Sequence, residues 1–177
     1  MGHSTVYQLT HTNLGTEDFM TYSDLFEENY GFFGPVADSM DDSDRKDDFY
    51  CLIKQLTACD TAVCIDDNGN GYSRHLSWKF NETKNDETFI KFLPGYKCMY
   101  FGEKYRQFIK AIDQITENKF MSPNITCQVT GSFKHFGDKF GDYVFSGYPM
   151  KIDDFIRRLP DKEEVTYWLG GTVDYHF

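Results

Sequence analysis

The stretch Thr61-Ala62-Val63-Cys64-Ile65-Asp66-Asp67-Asn68-Gly69-Asn70-Gly71-Tyr72-Ser73-Arg74-His75-Leu76-Ser77-Trp78-Lys79-Phe80 decides the fold. Two β-prone runs flank a polar centre, and its Asn-Gly pair supplies the positive backbone angles that a tight hairpin needs. The pattern predicts strands over 61–66 and 72–80 around a turn at 66–71. In the second run Tyr72, Arg74, Leu76, Trp78 and Phe80 should share one face, and Ser73, His75, Ser77 and Lys79 the other. A hairpin is antiparallel by construction, which sets the sheet type for its neighbours.

Toward the amino end, residues 5–11 read as a strand. Thr16 is a credible N-cap, with Glu17 and Asp18 in a first helical turn and Phe19, Tyr22, Leu25 and Phe26 at helical spacing. Gly31, Gly34 and Pro35 would end that helix. Residues 38–48 read as a polar loop. Asp42 or Ser43 would cap a second helix, striped by Phe49, Leu52, Ile53 and Leu56.

Toward the carboxyl end, 81–88 is a charged loop, and 89–101 reads as two short strands around Pro94-Gly95. A helix is predicted over 103–116, with Tyr105, Phe108, Ile109, Ile112 and Ile115 on one stripe. Strands at 125–133 and 143–148 are joined by a turn at 137–142. A short helix follows at 152–159, with acids in its first turn and arginines in its last, as the helix dipole favours. The chain closes in a strand interrupted at Gly170-Gly171. Helices interspersed among hairpin-joined strands imply an α+β fold, a mainly antiparallel sheet with about four helices packed on it. The 177 residues fit a single domain, 1–177.

Charge divides the chain. There are 28 acids and 18 lysines and arginines, a net of −10. Residues 1–67 hold fourteen acids and three bases, a net of −11, whereas 68–177 hold fourteen and fifteen, a net of +1. The first part is acidic and helix-rich, the second near-neutral and strand-rich. Twelve Tyr and seventeen Phe exclude a disordered acidic tail, which is poor in large rings. Net negative charge argues against direct nucleic-acid binding over the whole surface, and no run of apolar residues is long enough to span a membrane. The start lacks a secretory pattern, so a cytoplasmic setting is expected, with Cys51, Cys59, Cys64, Cys98 and Cys127 as buried free thiols.

Chemistry-bearing motifs are sparse. Asp66-x-Asn68-x-Asn70-Gly71 matches the first half of a calcium loop, but its twelfth position is Ser77 rather than Glu, so a plain turn is expected. His3, His11, His75, His135 and His176 form no metal-ligand spacing. Asp174-x-His176 has the look of an outer pair behind a ligand, and a terminal histidine is expected simply to be exposed. No nucleophile elbow, phosphate loop or dinucleotide fingerprint occurs. No catalytic residue, cofactor or metal is therefore assigned.

What remains is the acidic surface. Glu17, Asp24, Glu27, Glu28, Asp38, Asp41, Asp42, Asp44, Asp47 and Asp48 alternate with rings that a core needs, and form a candidate partner-binding face for a basic protein. Tyr22, Tyr30, Phe32, Phe33 and Tyr50 lie close by in sequence. In charge and size, though in no motif, the chain is similar to small inhibitors that imitate nucleic acid, such as antirestriction and anti-CRISPR proteins. That likeness implies an inhibitor occupying the basic nucleic-acid channel of a partner such as a defence nuclease. The alternatives are a small intracellular enzyme with a site assembled from scattered His, Cys and Asp, and a divalent-cation binder at the acidic loops.

Overall fold

A computed structural model describes residues 3–25, 39–113 and 141–176. Among these residues nine strands form one sheet: β1 (His3–Thr10), β2 (Ser39–Asp42), β3 (Cys64–Ile65), β4 (Gly71–Tyr72), β5 (Leu76–Lys79), β6 (Phe89–Phe92), β7 (Tyr143–Phe145), β8 (Pro149–Lys151) and β9 (Val165–His176). Three α-helices are described, α1 (Arg45–Thr57), α2 (Tyr96–Asp113) and α3 (Ile152–Arg158). The strand order is β3-β4-β5-β6-β9-β1-β7-β8, with β2 also on β9. Among the described strands only the β1–β7 pair is parallel, so the α+β, mainly antiparallel expectation holds.

β9 is the axis. Its first residues pair with β6 and its last four with β2, while β1 runs antiparallel along most of its other edge. The sheet buries apolar side chains on both faces. On one, Tyr7, Leu9, Tyr167 and Leu169 meet the stripe Phe49, Leu52, Ile53 and Leu56 of α1, Tyr96 and Tyr100 of α2, and Phe155 and Ile156 of α3. On the other, Val6, Tyr143, Val173, Tyr175 and Met40 pack with Met20 and Leu25. Alternation along each strand divides the residues between the faces. The division inverts where β9 bulges at Gly170-Gly171, so that Leu169 and Thr172 both turn toward α1.

Several expectations are corrected. No helix starts at Thr16: a 3-10 turn, Thr16–Asp18, gives way to extended backbone at Phe19. Met20 N–H donates to Gln8 Oε1 of β1, which draws the chain out of helical geometry. The helical turn at 22–25 begins instead behind Thr21. Asp24 Oδ2 accepts from Thr21 N–H, and Thr21 Oγ1 accepts from Asp24 N–H, a reciprocal capping box. The continuation through Phe26 and the stop at Gly31, Gly34 and Pro35 lie outside the described residues.

Residues 39–42 are a strand rather than part of a loop, because their backbone completes the free edge of β9. α1 is capped by Asp44, which accepts from the amides of Lys46 and Asp47, and not by Asp42 or Ser43. Ser43 is spent on Asp48 and Thr172. The run 72–80 does not keep one alternation. Ser73 Oγ accepts from Leu76 N–H, the chain reverses at 73–75, and Tyr72 and Arg74 leave the face that buries Leu76 and Trp78. Pro94-Gly95 separates a strand from a helix rather than two strands, since α2 already begins at Tyr96. Tyr96 and Tyr100, one turn apart, anchor it in the core, whereas Tyr105, Ile109 and Ile112 of the expected stripe are exposed. Cys51, Cys64 and Cys98 are free but exposed, and Cys59 is half-buried, so burial of the thiols is corrected too. Cys127, Ile115 and the strand at 125–133 fall outside the described residues.

Candidate functional site

The acidic segments meet at the edge of the sheet where β2 sits. Asp42 Oδ1 accepts from Tyr22 N–H at 2.9 Å, tying the turn at 21–24 to β2. Arg45, the first residue of α1, places its guanidinium 4.6 Å from the centroid of the Phe19 ring, which ties the 3-10 turn to α1. Of the acids these segments carry, Glu17, Asp18, Asp24, Asp41, Asp42, Asp44 and Asp47 are exposed and Asp48 is half-buried; along β2 the side chains alternate, so Asp41 shares the face of Asp174 and His176, and Asp42 that of Met40. Of the remaining candidate residues, Glu27, Glu28 and Asp38 lie outside the described residues. So do Tyr30, Phe32 and Phe33, while Tyr22 is exposed and Tyr50 half-buried.

Among the described residues none of these acids is ion-paired with a Lys or Arg. The Lys and Arg ion pairs among the described residues are Lys46–Glu82, Lys79–Glu87, Lys84–Glu87, Lys91–Glu164, Lys97–Asp161, Lys104–Asp153, Arg106–Glu103 and Arg157–Asp154. Every carboxylate in that set lies beyond position 80. Arg45 does not neutralise the acids around it. It donates to the carbonyls of Gly170 at 2.8 Å and Leu169 at 2.7 Å and to Asn85, and its burial pulls the guanidinium down to about 10. Asp48 is half-buried. Burial lifts its carboxyl above the usual range, against bonds from Ser43 and Thr172 that act the other way, while the Asp174 and Asp44 charges add to the rise. Asp24 is held low by its bonds from Thr21.

An open cleft of about 290 Å³ adjoins these acids, lined among others by Gln8, Glu17, Asp18, Asp24 and Phe145. The turn at 66–70 joins β3 to β4. Asp66 Oδ1 accepts from the amides of Asn68 and Asn70, and Asn70 Oδ1 accepts from Phe80 N–H. The hairpin reading of this loop therefore holds.

A second constellation escaped the sequence. His3 of β1 stands opposite His176 of β9, and Asp41 of β2 stands opposite Asp174 on the other edge. His3 Nδ1 is 3.1 Å from Asp174 Oδ2, and His176 Nε2 is 3.4 Å from the same oxygen and 3.6 Å from Asp41 Oδ2. The imidazole centroids are 4.2 Å apart. His176 is thus not a lone exposed histidine: its side chain is 19% exposed and stands among three partners. The available signal was the i, i+2 spacing of Asp174 and His176, which puts both on one face of a strand. The other two residues come from strands distant in sequence.

Neither a family model, nor a curated protein, nor a solved structure matches this chain. Among the described residues no helix is long and apolar enough to cross a membrane.

Proposed function

We propose that the chain is an acidic protein-interaction module whose amino-terminal carboxylates dock on a basic surface. In its most concrete form it is an inhibitor that fills the nucleic-acid channel of another protein, such as a defence nuclease. One observation carries this reading: the acids around β2 have no Lys or Arg partner among the described residues, where the Lys and Arg ion pairs all go to carboxylates beyond position 80. Unpaired like charges repel one another and weaken a fold, and a cationic partner relieves that cost on binding. The frame beneath them is ordered, with the 3-10 turn, β2 and the first turn of α1 locked to β1 and β9. Exposed Tyr22 beside Asp42 adds an aromatic anchor of the kind found in binding hot spots.

The test is a charge reversal at Glu17, Asp18 and Asp47, none of which caps a helix or bonds across strands. Immobilised native chain should retain basic nucleic-acid-binding proteins from a host extract and release them to duplex DNA or high salt. The variant Glu17→Lys/Asp18→Lys/Asp47→Lys, checked for unchanged circular dichroism, should retain none. Equal retention by both, or retention indifferent to DNA and salt, removes the reading.

A further inference from the structure

We propose that His3, Asp174 and His176, with Asp41 as a fourth donor, form a binding site for a divalent transition-metal ion of the zinc class. Three neighbouring strands supply the set, β1 one imidazole, β9 an imidazole and a carboxylate, and β2 a carboxylate. Their register puts all four side chains on the face of the sheet that α1 covers farther along, just beyond that helix's first turn. The donor atoms of His3, Asp174 and His176 all lie within 4.8 Å of one another. The three gaps of 3.1, 3.4 and 3.6 Å are also the right size for a shared ion. Ligands about 2.0–2.1 Å from a tetrahedral zinc stand about 3.4 Å apart.

The donor chemistry selects the ion. Two imidazoles with one or two carboxylates suit Zn²⁺, Co²⁺ or Fe²⁺, whereas Ca²⁺ and Mg²⁺ want oxygen alone. The surroundings favour a cation. Asp41 and Asp174 have no Lys or Arg partner among the described residues, and Asp48 lies near enough to feel the Asp174 charge. Side-chain exposure grades from 19% at His176 and 26% at Asp174 to 60% at His3 and 73% at Asp41. The site therefore has a sheltered floor and an open rim, and an ion held there would keep a solvent-facing position. It would also clamp β2 and β1 to the end of β9.

The experiment uses the full chain without any affinity tag. Zn²⁺ is titrated by calorimetry, Co²⁺ by visible absorption, and melting is followed with each ion at tenfold excess. One equivalent should bind, Co²⁺ should give the intense bands of a low-symmetry four-coordinate site, and the melting temperature should rise because the ligands are assembled only in the folded state. His176→Ala and Asp174→Asn should each weaken Zn²⁺ at least tenfold while leaving the metal-free melting curve cooperative. Should either variant fail to fold, His3→Ala, at the exposed rim, carries the same expectation. Ca²⁺ should produce neither heat nor stabilisation. No Zn²⁺ heat with no melting shift overturns the site, as does binding of equal strength in the native chain and in a His3→Ala/His176→Ala double variant.

Discussion

Arg45 illustrates how one side chain can hold an acidic protein together without neutralising an acid. Its guanidinium donates to the Gly170 and Leu169 carbonyls and to Asn85, and stacks near Phe19 and Phe80. A hydrogen bond from a charged group is worth about 1.5–3 kcal/mol. Arg45→Met would strip two carbonyls of their donor, and is expected to cost about 2–3 kcal/mol. In a chain of this size that lowers the melting temperature by roughly 5–10 °C. Arg45→Lys should recover only part of the loss, since an ammonium cannot span the fork. Thermal melts of the three chains check the order. Asp48 poses the opposite case. Burial raises its carboxyl above the usual range, so the folded state binds its proton more tightly than the unfolded one does. Ionisation therefore costs stability, beginning as pH rises through the unfolded value near about 3.9 and in full above the folded one. Asp48→Asn should melt higher than the native chain at pH 7, with the difference closing as the pH falls to about 4. A gap independent of pH would refute this account.

At the scale of elements, β9 is organised by its two adjacent glycines. A Cβ on Gly171 would stand 2.0 Å from the Met20 carbonyl oxygen, which is backbone and cannot swing aside. A Cβ on Gly170 would meet the Gln8 side chain at 2.1 Å. That side chain can move, at the loss of its bonds from Met20 and Gly171 N–H. Gly171→Ala should therefore destabilise by at least about 3 kcal/mol, and Gly170→Ala by clearly less. Urea unfolding of both variants decides it. The sequence shows the Gly170-Gly171 interruption but not what fills it, because Met20 and Gln8 arrive from elsewhere. The same limit explains the other corrections. The stripe of α1 was readable because one helix face meets one core. The helix expected at Thr16 gave way to tertiary bonds with Gln8, which accepts from Met20 N–H and donates to the Asp18 carbonyl, and β2 was hidden because Ser39–Asp42 is polar and strand-like only through its partner β9. The acidic candidates were legible as charges, whereas the His3–His176 approach, which register alone creates, was not.

Across the whole molecule, uneven pairing of charge makes stability depend on ionic strength in a definite direction. Among the described residues the Lys and Arg ion pairs go to acids beyond position 80, and the acids around β2, Asp48 apart, face solvent. At 0.01 M salt the screening length is about 30 Å, and at 0.15 M it is about 8 Å. The repulsion is strongest when the acids are held together, so its removal favours the folded chain over the unfolded one. The melting temperature should rise between these two salt concentrations. Reversing Glu17, Asp18 and Asp47 to lysine adds two charges at each position and takes the net from −10 to −4. Asp47→Lys also forfeits a favourable place in the first turn of α1, so the absolute melting temperature of that variant is a poor guide. The salt slope is the cleaner readout: steep and positive for the native chain, and nearly flat for the reversed one. Equal slopes would mean that the amino-terminal acids do not act on each other as one field, and would take with them the reason for expecting a cationic partner.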